Sequence, residues 1–391
     1  MPSNSNYIEE LLRQLKAFRI DSGKTEESVE KELILGPGWV SQFENGAFHP
    51  SLDMIVALLS VYGKTIQDLP ANNSQNVPQI NRTIGASQDG QDLVINFDYT
   101  RYQAKYRLHG ATSDEFDDVL LCLRNGLARL SANNAGEDES NVKSDSVAQT
   151  FLKAVKIWPH ANPSDVWWFV VYRAYCDPYN HPAEFARLNL TESWKRTSGW
   201  ALERAFVEHY APALADEGIH MFIASSEDRV RLIRGLEVGH RLEADKMDIM
   251  LTVDTDDGDA FIGVVHVKAS FAERRTDDVP MSGALVNAGY LSPLLTMDCK
   301  SVPSANPFNK GELGNVYMGS GDDKRSAKRV DMEDDGFFSA CFSYNKNTKP
   351  TPPQYNSPGG RVVLCDFTSP RDSFHDFIVS ETAKIRTALG I

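Results

Sequence analysis

The chain is predicted to fold as an α+β protein, on three observations. Residues 6–69 read as helices alone. The segment "KMDIMLTVDTDDGDAFIGVVHVKAS" reads as two strands joined by a tight acidic turn, and the chain from 147 onward mixes helices with strands. A length of 391 residues leaves room for two or three domains. The boundaries read as 1–70, an all-α module; 71–146, a linker and a small α/β middle region; and 147–391, the main mixed domain.

Each element has its own signal. In "NYIEELLRQLKAFRIDSG", Ile8, Leu11, Leu12 and Leu15 form one stripe, and Gly23 supplies a stop. "KTEESVEKELIL" gives a second helix with Thr25 as its N-cap, and "GPGWVSQFENG" a third, ending at Gly46. A fourth follows Pro50-Ser51, marked by Leu52, Ile55, Val56 and Leu59. The polar "PANNSQNVPQINRT" reads as a linker. "DLVINFDYTRYQAKYRLHG" alternates as strands do, "DEFDDVLLCLRNGLARL" is an amphipathic helix, and the acidic 131–146 reads as a second linker or exposed loop. Farther on, "SGWALERAFVEHYAPALADEGI" is a strong helix, while "GGRVVLCDFTSP" is a late strand before a last helix, "RDSFHDFIVSETAKIRTALG". The Trp167-Trp168 pair belongs to the core.

Composition narrows the function classes. No run of about 18 uncharged apolar residues marks a membrane span, and the first 20 residues lack the apolar core of a secretory signal. Five cysteines without CxxC spacing point to reduced thiols, no zinc site and a cytoplasmic home. A formal net charge of −14 counts against nucleic-acid contact on average, although a site that holds a divalent metal also gathers carboxylates. "GSGDDKR" lacks the GK[ST] of a phosphate-binding loop. The histidines of "WPHANP" and "NHPAEF" have no partner spacing and read as loop residues.

The N-terminal segment "TEESVEKELILGPGWVSQFENGAFHPSLDMIVALLSVYG" resembles the lambda-repressor/Cro-like helix-turn-helix family. Thr25 and Glu26 open its second helix and "WVSQFENG" stands where the recognition helix would be. The resemblance implies DNA contact through Gly38, Ser41, Gln42 and Asn45, since Gln can pair with adenine and Ser can reach phosphate or base. Two departures stand out: Glu26 replaces the usual Gln, and the recognition segment opens on Gly36-Pro37-Gly38 with few basic residues. The competing reading is a helical interaction module that keeps the fold without DNA affinity.

The strand "FIGVVHVKAS" sets His266 and Lys268 two residues apart, hence on one face. On spacing alone this could be an edge strand with one wet side. One strand earlier, "KMDIML" brings Asp248 into an apolar strand, so the hairpin offers an acid and a Lys side by side. Metal-dependent phosphodiester hydrolysis needs an anchoring carboxylate, further oxygen ligands and a Lys near the attacking water. The arrangement resembles the PD-(D/E)XK nucleases, with His266 standing where their second acid belongs. "HVKASFAERRTDDVPMSGALVNAGYLSPLLTMDCKSVP" is further similar to type II restriction endonucleases of the BsaWI kind, over roughly 195–314 and ending in "KGELG".

That resemblance implies a restriction-endonuclease-like mixed sheet flanked by helices and Mg²⁺-dependent hydrolysis of double-stranded DNA, leaving a 5′-phosphate and a 3′-hydroxyl. Asp248 would hold the metal with the Val267 carbonyl, Lys268 would orient or deprotonate the water, and Glu203 would be an auxiliary metal ligand. Glu237, Glu243 and Asp245 compete with Glu203 for that place. His266 would be a ligand, a base or an orienter of water. Arg274 and Arg275 would clamp phosphate, or else pair with Asp277 or Asp278. Cutting two strands implies a homodimer, and a restriction system implies a cognate DNA methyltransferase. The rival is a DNA-binding transcriptional regulator whose C-terminal domain senses a ligand and does no chemistry.

Overall fold

The structure, a computed structural model, describes residues 5–45, 47, 52–65, 68–69, 82–99, 102–130, 139–175, 190–233, 236, 247–256, 258–270, 275–299, 309–319 and 325–389. Two compact units form among the described residues, one from those up to 69 with Leu190, and the other from 82–175 and from Thr191 on.

The first unit is a four-helix bundle: α1 (Ser5–Asp21), α2 (Glu26–Glu32), α3 (Trp39–Glu44) and α4 (Leu52–Val61). Leu12, Leu15, Val29, Val40, Phe43, Leu58, Leu59 and Tyr62 make its core. Thr25 caps α2 by accepting from the Ser28 N–H, as its position predicts. The α3 N-terminus is finished from outside, because the buried Glu30 carboxylate accepts the Val40 N–H at 2.9 Å. Arg19 of α1 holds Glu44 of α3 through two hydrogen bonds of 2.6 and 2.9 Å.

The second unit opens with an antiparallel sheet of β1 (Arg82–Asp89), β2 (Asp92–Tyr99) and β3 (Tyr102–Leu108). Three helices follow: α5 (Ser113–Ala128), α6 (Glu139–Ile157) and α7 (Pro163–Tyr175). Thr112 and Glu115 form a capping box at the start of α5. The stretch 131–146, expected as a loop, enters α6 at Glu139. Val142, Val147 and Phe151 bury one side of α6, and its Ser146 and Thr150 hydroxyls bond carbonyls one turn back. The polar composition that suggested a loop is thereby satisfied inside a helix. Trp167 is buried, as expected, against Phe151.

Next come α8 (Leu190–Ala215), β4 (Ile219–Phe222), α9 (Ser226–Ile233), β5 (Ile249–Thr255), β6 (Gly258–Lys268) and α10 (Arg275–Asn287). The chain ends with β7 (Leu294–Thr296), α11 (Ala327–Glu333), β8 (Cys341–Ser343), β9 (Val362–Leu364) and α12 (Ser373–Leu389). The six strands β4 to β9 lie side by side in sequence order. The first two pairings are antiparallel and the last three parallel, so the sheet is mixed. β6 therefore pairs on both sides, and its residues 262–267 are buried. The edge-strand reading of "FIGVVHVKAS" is overturned: its two hydrophilic residues sit inside the molecule. Among the described residues no helix is long and apolar enough to cross a membrane.

Candidate active site

The β5–β6 hairpin does what its sequence predicts. Asp248 stands just ahead of β5, and its Oδ2 accepts the Val267 N–H at 2.8 Å and Lys268 Nζ at 2.8 Å. In an extended strand a residue's N–H and C=O leave toward the same edge, so the Val267 carbonyl opens on the side of the Asp248 carboxylate. Asp248, Val267 and Lys268 are thus brought together.

A third charged group joins them that sequence reasoning passed over. Asp278 of α10 brings Oδ2 to 3.5 Å from Lys268 Nζ. The side chains of Lys268, Asp248 and Asp278 are 12%, 12% and 9% exposed, so they lie largely sheltered at the rim of the core. A helix carboxylate thus lies beside Lys268 where the strand itself carries His266. In the sequence Asp278 stands in "TDDVP" and enters only as one of two alternative partners, with Asp277, for Arg274 and Arg275. Pro280 lies inside α10, where it removes one backbone hydrogen bond.

His266 is fully buried and turned to another neighbour. Its Nε2 lies 3.0 Å from Ser292 Oγ, while Nδ1 has no partner among the described residues. Burial, offset partly by Asp248, pushes its pKa down to about 4, so the ring is neutral near pH 7. The ring meets Phe338 edge-on.

Glu203 lies on α8 and is 8% exposed. Among the described residues, Glu203, Asp248 and Asp278 do not form a carboxylate triad within 4.8 Å. A three-residue set at that spacing, His220, Asp254 and Asp259, occurs near the turn of the β5–β6 hairpin, away from Asp248. Glu237, Glu243, Asp245 and Arg274 lie outside the described residues; Arg275 opens α10, and its side chain is not among those described.

The "KGELG" segment flanks the centre. Asp298, just past β7, accepts the Glu312 and Leu313 N–H groups at 2.6 and 3.1 Å, and burial pushes its pKa up to about 6. Glu312 then meets Ser270, two residues beyond Lys268, at 3.3 Å and Lys328 at 2.8 Å. In the first unit, Gly38 sits at the head of α3 with φ +77, where a Cβ would be strained, and Gln42 and Asn45 are exposed while Ser41 is half-buried.

Comparison with known proteins agrees with both units. A helix-turn-helix domain model matches residues 10–70. Over 248 residues the chain is 36% identical to the type II restriction enzyme AgeI of Thalassovita gelatinovora, spanning 61% of this chain and 84% of that protein. The crystal structure of an AgeI–DNA complex superposes with a TM-score of 0.61 at 30% identity, over 74% of this chain and 99% of that one. A pre-specific BsaWI–DNA complex aligns at a TM-score of 0.34 and 17% identity, over 68% and 92% of the two chains, too distant to bear on the site. With a relative at that identity covered over most of its length, and with the same fold behind the Asp248–Lys268 centre, the chain belongs to the AgeI family of type II restriction enzymes.

Proposed function

We propose that the chain is a site-specific endonuclease that hydrolyses double-stranded DNA with Mg²⁺ at the centre built on Asp248, Lys268 and Asp278. The observation that carries this reading is the convergence of two carboxylates on one ammonium, each from a different element and each largely sheltered. Titratable groups concentrated in that way mark chemistry more often than folding. The donors also fit the metal: the Asp248 and Asp278 carboxylates and the Val267 carbonyl are hard oxygen ligands of the kind Mg²⁺ takes, and the softer imidazole of His266 is engaged with Ser292.

Mg²⁺ bound there would polarise the scissile phosphoryl group and offset its developing charge. Asp248 anchors it and, through its hydrogen bonds, fixes Lys268 Nζ and the Val267 backbone. Lys268 Nζ donates to the attacking water and holds it in line with the leaving oxygen. Glu203 serves as an auxiliary acid, and Arg274 and Arg275 clamp phosphate. In the N-terminal bundle, Gly38, Ser41, Gln42 and Asn45 face DNA as an accessory contact, because α3 itself carries no Lys or Arg. The active species is a homodimer, one site for each strand, working in the cytoplasm beside a methyltransferase that protects the host sequence.

The test is digestion of a fully sequenced phage DNA by purified protein with Mg²⁺, followed by mapping of the ends. Cuts at one recurring sequence with 5′-phosphate ends are expected, abolished by chelation. Sequence-specific binding without cleavage of any substrate, methylated or not, would favour a regulator instead.

A further inference from the structure

The unexplained feature of the centre is its buried histidine, and the helix facing it accounts for that residue. Ser282 of α10 is fully buried, and its Oγ lies 2.7 Å from Ser292 Oγ, which lies 3.0 Å from His266 Nε2. One turn earlier on the same helix, Asp278 meets Lys268. Two rungs therefore join α10 to β6: Ser282–Ser292–His266 and Asp278–Lys268. Their pitches match. Residues four apart on a helix advance about 6 Å, and residues two apart on a strand advance about 6.6 Å. The order is reversed, Ser282 opposite His266 and Asp278 opposite Lys268, as for a helix running back along the strand before it.

The surroundings leave this seam polar and narrow. Val279 packs into the cluster of Leu294, Leu313, Phe338 and Cys341, while Met281 and Leu285 pack with Met247, Met250 and Val264. Pro280 stands between the two rungs and removes one backbone hydrogen bond from the helix, so backbone pairing alone holds the first turn less firmly against the rest. Ser292 is itself fixed. Its N–H is bound by Ser339 Oγ at 2.8 Å, and the preceding Leu291 presses on β6 at Gly263, where a Cβ would come within 2.2 Å of the Leu291 carbonyl oxygen.

We infer that the His266–Ser292–Ser282 chain is a positioning device that registers α10 on β6 so that Asp278 reaches the metal centre. This rests on the role proposed above for Asp278. His266 then acts as a neutral hydrogen-bonding spacer, and its replacement of a strand carboxylate and the arrival of a helix carboxylate are two halves of one arrangement.

The test uses the full-length protein and reads Mn²⁺ binding by calorimetry, melting temperature, and single-turnover cleavage with Mg²⁺. Ser282→Ala is expected to weaken Mn²⁺ binding about five- to tenfold and slow cleavage similarly, with DNA affinity in Ca²⁺ within twofold of wild type. In an Asp278→Asn background the same substitution should leave Mn²⁺ binding unchanged, since the chain acts through Asp278. His266→Gln, whose amide can reach Ser292, should retain binding within about threefold, whereas His266→Leu should lose as much as Ser282→Ala. Wild-type Mn²⁺ binding and rate in both Ser282→Ala and His266→Leu, alongside an impaired Asp278→Asn, would overturn the inference and leave the proposed site standing. So would equal losses from Ser282→Ala in both backgrounds, or a His266→Gln as defective as His266→Leu. Normal Mn²⁺ binding and cleavage by Asp278→Asn would instead remove the proposed role of Asp278, and the inference with it.

Discussion

The helix-turn-helix bundle and the Asp248–Lys268–Asp278 rim both bury charge, and the way each does so differs. In the bundle, Arg19 and Glu44 join two helices of one compact core with side chains 9% and 1% exposed, and Lys16 adds a second cation beside Glu44. Glu30 spends its carboxylate on a backbone N–H at the head of α3. These charges complete the fold. At the rim, Asp248, Lys268 and Asp278 come from a strand entrance, a strand end and a helix, and all three remain 9–12% exposed. In the bundle a cation and a carboxylate tie two helices of one core together, whereas at the rim two carboxylates from different elements share one ammonium.

Substitutions can sharpen or break that contrast. The largest effect is expected from Lys268→Ala: DNA cleavage falls by about 10³- to 10⁴-fold while DNA binding stays close to wild type, and the melting temperature drops because Asp248 and Asp278 lose their shared cation. An active Lys268→Ala enzyme would remove the rim from the chemistry. Next is Glu44→Ala, which removes two charged hydrogen bonds from Arg19, leaves it the Lys24 carbonyl and the more distant Glu26, and should destabilise that unit by about 1–3 kcal/mol. Calorimetry is expected to show an early transition for the bundle, with cleavage of DNA preserved at low temperature. Loss of cleavage before that transition would tie the bundle to the centre.

Gln42→Ala tests the outward face of α3. Affinity for specific DNA should fall by roughly tenfold or less, about 1 kcal/mol, with the single-turnover rate at saturating DNA unaltered. A loss of all binding would make the bundle the principal reader rather than an accessory.

The smallest effect concerns Asp165 at the head of α7, whose carboxyl accepts Asn309 Nδ2 at 2.8 Å and is pushed up to about 6 by burial. A raised folded-state pKa means that the native protein holds this proton more tightly than the unfolded chain does. The stabilisation is complete below about pH 4 and is lost as the pH rises through about 6. Asp165→Asn should therefore flatten the dependence of melting temperature on pH between 4 and 7 by a few degrees, about 3 °C. An unchanged slope would assign the dependence to other groups.

Much of the molecule was legible in the chain because its signals are local. The bundle announces itself through apolar spacing, the Thr25 cap and the "WVSQFENG" segment. The hairpin does so through Asp248, the acidic turn and Lys268, since a short turn leaves two strands little choice but to pair. Other readings failed where polar residues are satisfied by tertiary or helical partners. Residues 139–146 looked like loop, yet their serines bond carbonyls one turn back and their valines face a core. The strand "FIGVVHVKAS" could be read as a wet edge on spacing alone, yet β6 is paired on both sides.

By itself the sequence determined the α+β class, the helix-turn-helix and the pairing of the Asp248 and Lys268 strands. Only the tertiary structure brought Asp278 to Lys268 and His266 to Ser292. Asp278, Ser282 and Ser292 lie 10, 14 and 24 residues beyond Lys268 in the chain, with a proline inside the helix that carries two of them. They meet the strand because a helical turn and two strand residues advance by nearly the same distance. No periodicity within either element records that match; it exists only once α10 is packed against β6.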